Sequence, residues 1–133
     1  MPTLTIYKTV THTDPDSDTP YTMTATKVLD CVTAHRTRFT LSSGANTKIW
    51  ENDRPGLITA NPLYSVIKNV GSGSAYISCD DTSTVPFLHE IPAGAIFDFF
   101  GESILGTDAY GNADTLSTIY AKGNTELEVD VFM

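Results

Sequence analysis

Residues 126–132 read ELEVDVF, and no other feature limits the possible folds as strongly. Leu127, Val129 and Val131 alternate with Glu126, Glu128 and Asp130, a period of two that sets apolar side chains on one face of an extended strand and carboxylates on the other. One face is made to be covered. Just before it, Lys122-Gly123-Asn124-Thr125 has the composition of a tight turn, and residues 116–121 form another extended run with Ile119 and Tyr120. The pattern predicts a β-hairpin. Chain ends fray unless a sheet holds them, so a strand this regular is expected to be an integral part of a sandwich or barrel.

The same alternation recurs along the chain with turn residues between the runs. Strands are predicted at residues 4–11, 21–32, 38–41, 48–50, 57–60, 87–91, 96–100, 116–122 and 126–132, with two more in NPLYSVIKNVGSGSAYISCDD joined across Gly71-Ser72-Gly73-Ser74. In residues 21–32, Met23, Ala25, Lys27 and Leu29 share one face of a strand, although a short helix over 25–31 also fits. The Gly- and Asp-rich GESILGTDAYGNADT reads as a loop with room for one helical turn. No segment carries the period of a long amphipathic helix, and twenty threonines favour strands over surface helices. The expectation is an all-β chain, a single jelly-roll-like β-sandwich of roughly ten strands spanning residues 1–133. Residues 1–13, ahead of the Pro- and Asp-rich THTDPDSDTP, are expected to be an extended arm or an edge strand.

Charge narrows the partners. The net formal charge is −8, and the eight Lys and Arg are scattered, which argues against nucleic acid held by phosphate neutralisation. Neither an apolar leader with a basic flank nor a run of about 18 apolar residues is visible, so a soluble product without a membrane partner is expected. Cys31 and Cys79 lie far apart without a C-x-x-C pattern and are expected as buried small hydrophobes rather than a disulfide.

Asp14, Asp16 and Asp18 alternate as the first ligands of a calcium loop do. Thr19 and Ala25, however, stand where the helix-flanked loop needs Gly and Glu, leaving a solvated acidic turn or a looser cation site. His12, His35 and His89 lack zinc spacing, and no G-x-S-x-G elbow surrounds a serine. Neither a catalytic residue nor a cofactor is called for. Glu126, Glu128 and Asp130 form an outward row that serves as a solvent face, as protection of a sheet edge, or as a surface for a basic partner. Aromatic residues crowd the second half, mostly where a core needs them. Phe99 and Phe100 are adjacent and must point to opposite faces, so one of them is a candidate for a partner surface, as is Tyr110.

SVIKNVGSGSAYIS, IPAGAIFDF and LSTIYAKGNTELEVDVF together resemble a recurrent arrangement in small structural proteins of tailed bacteriophages, over about residues 63–133. Within it, Asn69-Val70-Gly71 would supply a turn, Pro92-Ala93-Gly94 a corner and Gly123 the last hairpin. The resemblance implies a virion component made in the host cytoplasm: a head decoration or cement protein bound to the major capsid protein, forming a homo-oligomer, often a trimer. The alternative it implies is a tail, fibre or adaptor module that touches a receptor glycan through exposed aromatic rings.

Overall fold

The computed structural model describes residues 2–13, 15–16, 21–51, 62–78, 89–100, 105–107, 113–115 and 118–133, with only the backbone described for 105–107 and 113–115. The chain comprises two compact units, Met1–Val32 and Thr33–Met133. Among the described residues it contains twelve strands and no helix: β1 (Thr3–His12), β2 (Tyr21–Asp30), β3 (Ala34–Thr40), β4 (Thr47–Glu51), β5 (Tyr64–Asn69), β6 (Ala75–Ser78), β7 (His89–Ile91), β8 (Ile96–Phe100), β9 (Leu105–Thr107), β10 (Ala113–Thr115), β11 (Thr118–Gly123) and β12 (Glu126–Phe132).

Eight strands of the second unit form two four-stranded sheets, ordered β3-β12-β5-β8 and β4-β11-β6-β7. The pairings are nested, since β3 meets β12, β4 meets β11, β5 meets β8 and β6 meets β7, all antiparallel. A long hairpin folded over so that successive pairs fall in alternate sheets is a jelly roll. Both inner faces supply the core. Ile49, Trp50, Ala75, Ile77, Ile91, Ile119 and Ala121 come from one sheet, and Ile67, Phe99, Leu127, Val129 and Val131 from the other. Trp50 is fully buried and meets Phe99 edge-on, with ring centroids 5.3 Å apart. Its indole N–H donates to Ser65 Oγ at 3.0 Å, which satisfies the one polar atom of the ring.

The strand that most constrains the sequence reading lies inside its sheet, with β3 on one side and β5 on the other. The carboxylate row of β12 therefore does not protect an edge: the edges of that sheet are β3 and β8.

One buried side chain ties four segments together. Asn69 is fully buried and donates through Nδ2 to the carbonyls of Gly73 (2.7 Å) and Ile91 (2.9 Å). Its Oδ1 accepts from the Gly71 N–H (3.2 Å) and the Thr125 hydroxyl (2.7 Å). All four hydrogen-bonding positions of the amide are used, as a buried amide requires. Backbone bonds tighten the same junction: Asn69 N–H donates to the Ala95 carbonyl and Gly94 N–H to the Asn69 carbonyl, each at 3.0 Å. The glycines make room for it. A Cβ on Gly71 would come within 2.7 Å of the Glu126 nitrogen, and one on Gly73 within 2.5 Å of the Asn124 oxygen. Gly94 turns the corner after Pro92 with φ of +78°, a left-handed value that favours glycine.

In the first unit, β1 and β2 pair in unbroken register from Thr3↔Asp30 to His12↔Tyr21. Residues 1–13, expected as an arm or edge strand, thus supply one side of a hairpin, and residues 21–30 are strand rather than helix. Elsewhere β3 starts at Ala34, ahead of the expected 38. Within the segment expected as a loop, β9 and β10 pair with each other. The expected strand at 57–60 lies outside the described residues.

Candidate functional site

Strand register determines which side chains share the outer face of the β3-β12-β5-β8 sheet. Across the four strands run three rows: Ala34, Phe132, Tyr64, Phe100; Arg36, Asp130, Val66, Asp98; and Arg38, Glu128, Lys68, Ile96. In β5 and β12 the neighbours one residue along are buried in the core, because alternate residues of a strand face opposite sides. The face is aromatic at one end and ionic in the middle.

The ionic part is internally paired. Arg36 forms a bidentate pair with Asp130, Nε to Oδ1 at 2.7 Å and Nη2 to Oδ2 at 2.9 Å, and its Nε lies 3.3 Å from Glu128. Arg38 lies 3.3 Å from Glu128 and 4.0 Å from Glu126. The hydrogen bond to Asp130, then the charges of Asp130 and Glu128, hold the Arg36 guanidinium above its ordinary pKa. Glu126, Glu128 and Asp130 are thus matched by cations of the neighbouring strand, and a basic partner would have to compete with Arg36 and Arg38. Sequence reading missed both arginines, since the β3–β12 register pairs residues about ninety positions apart.

The aromatic part is built on Tyr64, whose ring lies 5.0 Å from Phe100 and 6.1 Å from Phe132 between centroids. Tyr64 is buried beneath them and donates its hydroxyl to Asp98. Burial first, then that hydrogen bond and the charge of Asp98, push its pKa up. Phe100 is 37% exposed while Phe99 is 5% exposed. Alternation therefore leaves Phe100 at the surface and places Phe99 in the core beside Trp50, so Phe99 is not an interface residue. Next to the aromatic end, Ala34, His35, Arg36, Asp130 and Phe132 line an open cleft of about 310 Å³, at the small end of ligand sites.

Of the other sequence candidates, Asp16 is exposed in a turn, while Asp14, Asp18 and Tyr110 lie outside the described residues. Among the described residues no group of three or more His, Cys, Asp and Glu is arranged to hold a metal ion. Cys31 is buried, and Cys79 lies outside the described residues.

The second surface is the β1–β2 hairpin. One of its faces carries Leu4, Ile6, Lys8, Val10 and His12 against Leu29, Lys27, Ala25, Met23 and Tyr21; the other carries Thr3, Thr5, Tyr7, Thr9 and Thr11 against Asp30, Val28, Thr26, Thr24 and Thr22. Tyr7, Val10, Tyr21, Met23 and Val28 are all more than half exposed, from Met23 at 56% to Tyr7 at 76%.

Compared with protein-family models, curated proteins and solved structures, the chain matches none.

Proposed function

We propose that this chain is a non-enzymatic virion structural protein of a tailed bacteriophage, a head decoration or cement protein that binds the capsid exterior as a homo-oligomer and stabilises the shell. One observation carries the reading. Three of the residues on which the phage resemblance rests, Asn69, Gly71 and Gly94, meet in a single junction among β5, the β7–β8 corner and the β11–β12 turn, where Asn69 bonds to Gly71, Ile91 and Thr125 and accepts from the Gly94 N–H at its carbonyl. That pattern specifies a rigid body. A body that clamps a shell is required to keep its shape and present surfaces, and the hairpin with apolar side chains on both faces supplies such a surface.

The test is the copy number of the chain in purified particles, by quantitative mass spectrometry against the major capsid protein. A ratio of one to one or one to a small integer is expected. Absence from the particle overturns the reading. A few copies per particle would instead favour the second reading, a tail, fibre or adaptor module. That reading is supported by the Tyr64, Phe100 and Phe132 rings beside the Arg36–Asp130 cleft, an arrangement in which a sugar ring can lie on an aromatic face with charged hydrogen-bonding groups at its rim. Glycan-array binding lost in Phe100→Ala would support it.

A further inference from the structure

The outer face of the β3-β12-β5-β8 sheet changes abruptly at one edge. In the row Ala34, Phe132, Tyr64, Phe100 the position on the edge strand β3 is held by alanine, so the side chain across from Phe132 on that strand is a single methyl group. The cleft opens there. Its other side is the Arg36–Asp130 pair, one row along the same two strands, at a rise of ~7 Å for two residues.

Both members of that pair keep hydrogen-bonding capacity. Arg36 commits Nε and Nη2 to Asp130, and among the described residues its Nη1 protons meet no acceptor. Each carboxylate oxygen of Asp130 takes one of those bonds and has a further lone pair to offer. One side of the cleft thus presents donors next to acceptors, and the other presents an aromatic ring.

Charge selects what can fill such a space. An anion meets Asp130, and Glu128 lies 3.3 Å from the same guanidinium, so the cation that would hold it is already neutralised. A cation meets Arg36. A purely apolar ligand would strip water from two charged groups without replacing it, which is unfavourable. A neutral saccharide avoids all three conflicts: its hydroxyls donate to Asp130 and accept from Arg36, and the C–H face of its ring lies against Phe132. The volume of about 310 Å³ is at the lower limit of ligand sites, which suits a single ring.

We propose that the cleft between Phe132 and the Arg36–Asp130 pair binds one neutral sugar ring, stacked on Phe132 and held through its hydroxyls by Arg36 Nη1 and the Asp130 carboxylate. The inference rests on the tail, fibre or adaptor reading and narrows its ligand to an uncharged glycan. Ala34 keeps the site open.

Amide NMR spectra of the full chain test this by titration with methyl glucoside, methyl galactoside, methyl mannoside and N-acetylglucosamine, and separately with N-acetylneuraminic acid and glucosamine as anionic and cationic counterparts. At least one neutral sugar is expected to shift the amides of Ala34, Arg36, Asp130 and Phe132, with Kd on the order of 1 mM for a single ring. Ala34→Leu fills the opening from an exposed edge position, and Arg36→Gln removes the Nη1 donors; each should weaken binding about tenfold or more. Emission from Trp50, the one tryptophan and fully buried in the jelly roll, verifies that both variants are folded. No shift at these residues with any neutral sugar overturns the proposal. So does equal or tighter binding of N-acetylneuraminic acid or glucosamine, and so does binding that survives both substitutions. Copy number in particles, which decides the tail, fibre or adaptor reading, depends on none of these titrations, so either can fail alone.

Discussion

Residues 33–133 and residues 1–32 are built from the same kind of antiparallel strand, unbroken in register between β1 and β2 and shifted once between β4 and β11, yet they bury their side chains very differently. In the jelly roll β12 alternates buried and half-buried residues along its whole length, and β5 buries four of its six. In the hairpin β2 has nine exposed residues of ten. Backbone pairing is therefore not what separates a self-sufficient body from a dependent element. Opposed sheets are. Trp50, Ile67 and Val129 belong to the layer between the two sheets, whereas Val10 and Met23, paired across the ladder, are both more than half exposed. A sheet stabilises through the side-chain layer it covers, and the β1–β2 pair buries little of its own.

The sharpest way to break the contrast is truncation on each side of it. Trp50→Ala should destabilise the body by about 3–5 kcal/mol, the usual range for removing a large buried ring, read from urea unfolding followed by far-UV circular dichroism. Met23→Ala in dilute chain should stay within about 0.5 kcal/mol of the parent. Equal losses would mean that the hairpin is already covered.

Asn69→Ala should come next, at about 3 kcal/mol, because it strands the Gly73 and Ile91 carbonyls and the Gly71 N–H in a buried junction. Trp50 fluorescence in a denaturant titration gives the value. A loss no larger than that of a surface substitution would remove the junction from its place in the account.

Tyr64 provides a pH test of the body. Its hydroxyl pKa is raised in the fold, chiefly by burial and then by Asp98, so the fold favours the neutral phenol. That contribution is complete below the ordinary tyrosine pKa of about 10 and is lost as pH rises above it. Melting temperature should fall with pH in that alkaline range, and more weakly in Tyr64→Phe. Matching slopes in the two proteins would contradict the assignment.

The smallest effect should follow Arg36→Gln. The guanidinium of Arg36 is two-thirds exposed, and exposed pairs contribute little and are screened by salt. Any difference from the parent at low ionic strength should vanish in molar salt; a difference that persists would mean that Arg36 acts through packing.

Much of the jelly roll was legible because its signal is local. The alternation of residues 126–132 gives β12 with its bounds, and adjacent Phe99 and Phe100 divide between core and surface as a strand requires. What stayed hidden depends on partners distant in sequence. Nothing in the run ELEVDVF says that Arg36 and Arg38 will lie beside it, or that its strand will be internal, because both follow from the β3–β12 pairing. Asn69 read as a turn residue, and its buried bonds to Ile91 and Thr125 emerge only when three corners converge. For residues 21–32 the local pattern left strand and short helix both open; cross-strand pairing with β1 decides between them. The strands β9 and β10 were obscured by glycine and aspartate, which seldom mark strands.

The most direct test of a self-sufficient body beside a sparsely buried hairpin is amide hydrogen exchange of the full chain at low and at high concentration. Amides of β5, β11 and β12 should be protected alike in both conditions. Those of β1 and β2 should exchange rapidly in dilute chain, since the two strands bury few side chains. Hairpin protection that is strong and independent of concentration would contradict the account.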